Sequence, residues 1–320
     1  MDNVSNSSFF NLAISRAQNL SKRAGIGWAL IGGGKQLLHH DACMAGLDGG
    51  KLESSIKLYS QHTSELFISS EPTPATYDIE NLILSIEESS ISSINIGKNF
   101  SDSITNDIWR NWLADWHGST LELPNNPITE KLSLGIELLH EAGRPWVTSI
   151  TAADFFGHSQ SLVNFVKEFD FLNYLTLLVK QSRAVLISPN QRDIVNFLPT
   201  KNFVNESIEY FEITNENNIA SIYQQCVNEF RCSVIMLTDI PLLAALLNQH
   251  LVDEVVHHLT NSSDLYEQHK GKQSDRACES LNLECWTLLS SSVVGKCNRM
   301  IYGKSQHYQR QHPASGRGFN

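Results

Sequence analysis

Hydrophobic positions recur at two different spacings along this chain, and the switches between them mark its elements. In FFNLAISRAQNL (residues 9 to 20), Phe9, Leu12, Ala13, Ala17 and Leu20 fall on one helical face. IGWALI (26–31) follows, then Gly32-Gly33-Gly34, then QLLHH, which reads as strand, tight turn, strand. Residues 53 to 60 read as a helix, 66 to 69 as a strand, 79 to 88 as a helix and 91 to 97 as a strand. The order α-β-β-α-β-α-β predicts a layered α/β domain. Over residues 106 to 116, Trp109, Trp112 and Trp116 are spaced three and four apart, as a helical packing stripe would be. PNNP (124–127) breaks the chain, a short helix is expected over 132 to 140, and Gly143-Arg144-Pro145 opens the apolar strand WVTSITA. A domain boundary is placed near residue 142.

The second half alternates again. Strands are expected at 184–188, 208–213 and 233–240, helices at 219–230 and 241–248, and a further strand in VDEVVHHLT. Residues 285 to 302 read as a hairpin with its turn near Gly295. By strand alternation, one of His257 and His258 is expected to pack and the other to be solvated. Gly32-Gly33-Gly34-Lys35 lacks the spacing of a phosphate loop and is better explained as a hairpin turn. Glu87-Glu88 reads as a solvated helix face.

Composition narrows the function classes. The chain has 320 residues, 41% hydrophobic and 18% charged, enough for two buried cores. A formal charge of -10 disfavours binding to phosphate backbones, so no nucleic-acid partner is expected. No apolar run is long enough for a membrane span. The polar start of the chain carries no secretory pattern, so the expected location is cytoplasmic. Six scattered cysteines without a C-x-x-C pair read as free thiols, with Cys226 and Cys232 as packing residues. The one basic stretch is a tail, 304–320, with His307 and His312, read as solvated.

In VIMLTDIPLLAALLNQHLVDEVVHHLT (234–260), a strand runs into Thr238-Asp239-Ile240-Pro241. A helix with Leu243, Leu246 and Leu247 comes next, and Leu251-Val252-Asp253-Glu254 leads to another strand. GRPWVTSITAADFFGH (143–158) and KQSRAVLIS (180–188) precede it. This cadence resembles the reductase domain of the bifunctional riboflavin-biosynthesis deaminase/reductase family. That domain opens with R-P-x-V-x-x-K-x-A-x-S-x-D-G, continues with R-A-x-x-D-A-I-L-V-G, and carries E-G-G-P and L-V-D-E. The first half offers four landmarks in the order of the family's deaminase domain: FFNLAISRAQNL, IGWALI, Lys51-Leu52-Glu53 and Ser70-Glu71-Pro72-Thr73. The resemblance spans residues 8 to 303. It implies a cytidine-deaminase-like α/β/α domain (1–142), a dihydrofolate-reductase-like α/β domain (143–303) and a basic tail (304–320). It also implies a homodimer.

The chemistry the resemblance implies is poorly supplied. Zinc deamination needs one His and two Cys around a metal that lowers the pKa of bound water to about 7, with a Glu moving the proton. The His position here holds Lys51, the first Cys position holds Thr73, and the second falls in YDIEN (77–81), which has no cysteine. Glu53 alone remains, a vestigial catalytic position. His39, His40 and Cys43 lie near, but HH-x-x-C lacks ligand spacing and a strand sends the two His to opposite faces. No zinc is expected, and deamination is expected to be lost. For the reductase, the resemblance implies NADPH and a pyrimidine ribotide. The family's cofactor positions fall at Ser188, Thr238, Asp239 and Pro241, where E-G-G-P has become T-D-I-P and V-G-x-G-T has become I-S-P-N. Glycines that let a diphosphate approach are replaced by an acid and a branched side chain, and proline removes a donor. The family's Lys, Ser and Asp positions hold Ile150, Asp154 and Phe156, with Gly157 kept. Asp154 is the remaining candidate for a catalytic carboxylate there.

Three readings follow. The first is a chain that keeps both folds without catalysis and serves in binding or assembly. The second is a divergent NADPH-dependent reductase acting through its C-terminal domain, and the third a regulatory binder of a pyrimidine ribotide-like ligand. Independent losses in both sites favour the first.

Overall fold

The computed structural model describes residues 2–20, 25–44, 50–74, 76–100, 107–122, 127–154, 158–182, 184–202, 205, 207–213, 216–229, 231–260, 281, 283, 285–294 and 297–305. Phe156, Gly157, Cys278, the turn at Gly295 and the tail beyond Ser305 lie outside them. The chain divides into two compact units, one of Met1–Trp146 with Phe203–Glu206 and Tyr223–Ser233, the other of Val147–Asn202, Ser207–Ile222 and Val234–Asn320.

The first unit runs α1 (Asp2–Leu20), β1 (Gly25–Gly32), β2 (Gln36–Met44), α2 (Gly50–Leu58), β3 (Thr63–Ile68), α3 (Ile79–Glu87), β4 (Ser93–Ile96), α4 (Asp107–Asp115), β5 (Ser119–Glu122) and α5 (Pro127–Ala142). Its sheet has the order β2-β1-β3-β4-β5. Strand β1 is antiparallel to both neighbours, while β3, β4 and β5 are parallel. Alternation along β1 feeds two cores. Ala29 and Ile31 meet Phe10, Ile14 and Ala17 of α1, while Ile26, Trp28 and Leu30 join Leu52, Ile56, Leu66 and Trp109 on the other face. Helix α1 sits so close that a Cβ on Gly27 would lie 1.9 Å from the Ala13 carbonyl oxygen. Only glycine fits there, because backbone cannot yield as a side chain can.

The triple glycine is a hairpin turn, with Gly34 and Lys35 in the left-handed region at φ 70° and 64°. Lys35 is committed to Glu65 at 2.7 Å and Asn6 at 2.9 Å, so no phosphate is cradled there. The tryptophan stripe packs as its spacing predicts. Trp109 is buried, and successive ring centroids lie 5.1 and 5.5 Å apart.

The elements of the second half are β6 (Trp146–Ala153), β7 (Ser159–Gln160), α6 (Phe169–Lys180), β8 (Ala184–Ile187), β9 (Glu209–Glu212), α7 (Glu216–Asn228), β10 (Ser233–Leu237), α8 (Ile240–Asn248), β11 (Glu254–Thr260), β12 (Trp286–Val294) and β13 (Cys297–Lys304). They build a sheet of order β12-β13-β11-β6-β10-β8-β9, with β7 attached to β6. Helix α6 buries Phe171, Leu175 and Leu178 against Ile150, Val185, Ile235 and Val256. Asp253 of the L-V-D-E segment is a scaffold residue. Its carboxylate accepts from the Val147 amide at 3.0 Å and lies 3.6 Å from Lys304 Nζ, tying β6, β11 and β13 together.

Strand alternation does send His257 and His258 to opposite faces, but neither is solvated. His258 is fully buried and His257 is 8% exposed, because this central strand is covered on both sides. The His258 ring meets Phe171 edge-on at 4.9 Å. Burial pulls the pKa of His257 down to about 4 and that of His258 to about 3, with Arg299 and His257 adding to the latter. Both imidazoles are therefore neutral in the fold, while in the unfolded chain they take protons below 6.5. Stability from this source is complete above that pH and is lost as pH falls toward 4. Linkage gives about 2 kcal/mol per imidazole by pH 5. Denaturant melts at pH 7 and pH 5 should show this loss in the second unit, and His258→Phe should remove about half of it.

Candidate functional site

In the first unit, Glu53 sits in the first turn of α2, only 6% exposed. Among the described residues, neither of its carboxyl oxygens has a hydrogen-bond partner. Burial pushes its pKa up to about 7, opposed by its own backbone amide and by Lys57, with Asp78 adding to the shift. Tyr77, the first residue of the Y-D-I-E-N segment, is buried beside Cys43 and Glu53. Desolvation, Cys43 and Glu53 together raise its phenol well above the ordinary range.

The Ser70-Glu71-Pro72-Thr73 turn is held as structure. The Thr73 amide donates to Thr76 Oγ1 at 2.8 Å, and that hydroxyl donates back to the Thr73 carbonyl at 2.8 Å. Glu71 accepts from the Phe100 amide and from Arg110 Nε, both at 3.1 Å. His40 accepts from Arg16 at 2.8 Å, whereas His39 stacks on Tyr59 at 5.6 Å, so the two imidazoles diverge. No group of three His, Cys, Asp or Glu among the described residues could hold a metal. The expected ligand positions bring an ammonium at Lys51 and a hydroxyl at Thr73, and residues 77 to 81 hold no thiol. That donor set does not fit zinc.

In the second unit, the sequence-predicted positions do meet, at the ends of β6, β8 and β10. The Thr238 amide donates to Ile150 O at 3.0 Å, and its hydroxyl lies 2.8 Å from that of Ser149. The Ser188 amide donates to Leu237 O at 2.9 Å, and Ser188 O accepts from the Gln191 amide at 2.9 Å. Asp239 is the N-cap of α8, its Oδ1 accepting from the Leu242 amide at 3.0 Å and its Oδ2 from Asn190 Nδ2 at 2.6 Å. The Ile240 amide donates to Ser159 Oγ at 3.2 Å, Pro241 has no N–H, and the Ile240 side chain is buried.

A dinucleotide diphosphate needs free amides at such a helix start. Here those of Ile240 and Leu242 are already used by the chain itself, and the partial positive charge of α8 faces the Asp239 carboxylate. The residues present do not fit the cofactor's diphosphate. Asp154 ends β6 and is clamped to His158, accepting from its amide and lying 2.9 Å from its Nδ1. Gln191 joins this region by accepting from the Leu162 amide at 2.7 Å.

Sequence reasoning missed Ser159 and gave no role to His158, Asn190 or Gln191, although His158 and Asn190 lie within quoted segments, because these act only through three-dimensional contact.

Solved structures match nearly the whole chain, two among them as follows. Acinetobacter baumannii RibD aligns at 12% identity and a TM-score of 0.62, covering 94% of this chain and 99% of its own. The Thermotoga maritima diaminohydroxyphosphoribosylaminopyrimidine deaminase/5-amino-6-(5-phosphoribosylamino)uracil reductase aligns at 12% and 0.61, covering 95% and 100%. This chain has the RibD fold. Its two units are thus a deaminase-like and a dihydrofolate-reductase-like α/β scaffold, as the sequence resemblance implied. Enterococcus faecalis dihydrofolate reductase, complexed with NADP(H), aligns at 10% identity and a TM-score of 0.31 over 50% of this chain and 96% of its own. No family model and no curated protein matches the sequence. At such identity, likeness fixes the fold, and chemistry must be read from the side chains.

Asp239→Ala removes the cap of α8 and the bond to Asn190. It should lower unfolding stability by about 1 kcal/mol, measured by denaturant melts.

Proposed function

We propose that this chain is a riboflavin-biosynthesis deaminase/reductase-like protein that has lost deamination and lacks a working NADPH site, leaving a binding or assembly role. The observation that carries this reading is the way the two former sites are filled from within. Lys51 and Thr73 stand where a metal would need an imidazole and a thiolate, and Asp239 and Ser159 take the α8 amides that a diphosphate would require. A small pyrimidine ribotide-like molecule is the ligand expected at the second unit, bound without turnover. No nucleic acid or membrane partner is assigned, in line with the acidic charge and with the lack of any described helix long and apolar enough to cross a membrane. The location proposed is the cytoplasm, where buried thiols such as Cys43, Cys226 and Cys232 stay reduced.

Purified full-length protein should contain no stoichiometric zinc by metal analysis, show no saturable heat with NADPH, and leave an aminopyrimidine ribotide unchanged. Ammonia release or NADPH oxidation that scales with protein concentration would overturn the reading.

A homodimer is proposed as well. Strand β12 ends its sheet with nine residues that include no charge, and Leu288 and Val293 are 52% and 75% exposed. A long, uncharged, apolar edge strand is a pairing surface unless something covers it. Sedimentation should give a dimer, and Val293→Lys should shift it toward monomer; a wild-type monomer at micromolar concentration would refute the dimer.

A further inference from the structure

On the α6 side of the second sheet, two neighbouring side chains hold donors that are sealed from water and meet no acceptor. Strand alternation places them. Ile150 and Ala152 of β6 belong to the core under α6, whereas Ser149 turns the other way, to Thr238. His258 of β11 lies beside Ala152, Arg299 of β13 beside His258, and Ser292 of β12 beside Arg299. These three side chains therefore form a row on the α6 face, opposite the face that carries Thr238.

Neither ring nitrogen of His258 has a hydrogen-bond partner, nor does Nε of Arg299, and all three atoms are sealed from solvent. His258 itself is fully buried. A neutral imidazole still carries one N–H, and a charged guanidinium N–H costs more to leave unanswered. Aromatic rings meet part of this need. Arg299 lies 4.0 Å over the Tyr174 ring, and Phe171 meets His258 edge-on. A ring face is a weak acceptor beside an anionic oxygen. Among the described residues no carboxylate pairs with Arg299. Glu168, the N-cap residue of α6, bears instead on Cys297, two positions along the same side of β13.

We propose that Arg299 and His258 form a binding site for a small oxyanion, a phosphate or a carboxylate, entered past Ser292. Cross-strand side chains on one face have Cβ atoms about 5 Å apart, so a single anion can reach both. The guanidinium edge that includes Nε offers two parallel N–H bonds to one oxyanion, and the His258 N–H offers a third. Tyr174 covers a face of the guanidinium and leaves that edge for the ligand. Arg299 is half-buried and Ser292 exposed, so the row opens to solvent at β12, while His258 closes its inner end. Admitting the anion to Nε needs a rotamer shift of Arg299 and no backbone change, a common extent of movement on binding. None of these residues belongs to either former catalytic site, so the proposal stands apart from the reading of those sites.

The test titrates the full-length protein at pH 7 and constant ionic strength with sodium phosphate, sodium acetate or sodium chloride. Binding is read by calorimetry, and the Arg299 Nε–H signal is followed by nitrogen-15 NMR. Phosphate or acetate should give a saturable heat and move the Nε–H signal, and whichever binds more tightly identifies the class of ligand. Chloride should do neither. Arg299→Gln should weaken binding by about tenfold or more. Arg299→Lys, which keeps the charge but loses the fork, should also weaken it and serves if the first variant fails to fold. His258→Phe should weaken it by about threefold. No saturable response to either oxyanion, an equal response to chloride, or undiminished binding in the Arg299 variants would overturn the site. Zinc content and NADPH binding are measured separately, so failure here is distinct from failure of the proposed function.

Discussion

The removal of polar groups from water without outside help is the constraint on which both former sites depend. A buried N–H, hydroxyl or carboxylate must be satisfied by the chain, by a ligand, or by taking up a proton. The second unit uses the first route. Asp239, Asn190 and Ser159 answer the groups at the start of α8. An incoming diphosphate would have to break those bonds and sit beside a carboxylate, so it gains nothing that the chain does not already have. In the first unit, Glu53 has no such partners and falls back on the third route. The chain itself thus answers the polar groups at the α8 start, whereas around Glu53 burial favours the neutral acid.

The positions that hold this fold together are answered by the protein itself. Gly27 is fixed by the approach of α1, and no side chain could replace it without moving backbone. Asp253 is fully buried and binds the start of β6 and the end of β13. The leucines of α8 fill the core beside β10. Each of these interacts with the protein itself, so its worth does not depend on a ligand.

The same division decides how much was legible in the sequence. Periodicity located most strands and helices within a few residues, because burial on one face writes itself into spacing. It missed β5, whose four residues are all exposed and which is recruited by parallel pairing with β4 rather than by its own pattern. It also missed α6, where FDFLNYLTLLVK is apolar at most positions and announces no single face. For His257 and His258 the alternation was right, but whether a face is covered depends on elements far away in the chain. The candidate positions Ser188, Thr238, Asp239 and Pro241 were found through the resemblance, and their spatial meeting follows from adjacent parallel strands ending together. The bonds that Ser159 and Asn190 make to Ile240 and Asp239 were not foreseen, since a lone serine or asparagine has no pattern that names its partner.

The two closures also differ in how readily chemistry could return. At the α8 start, glycine in place of Asp239 and Ile240 would free amides, but the helix would lose its cap and buried apolar contact in the same step. In the first unit, three ligands would have to appear together, because a single thiolate beside Glu53 adds a second buried anion before any metal is held. The first change would therefore cost the helix its cap, and the second would need several substitutions made together.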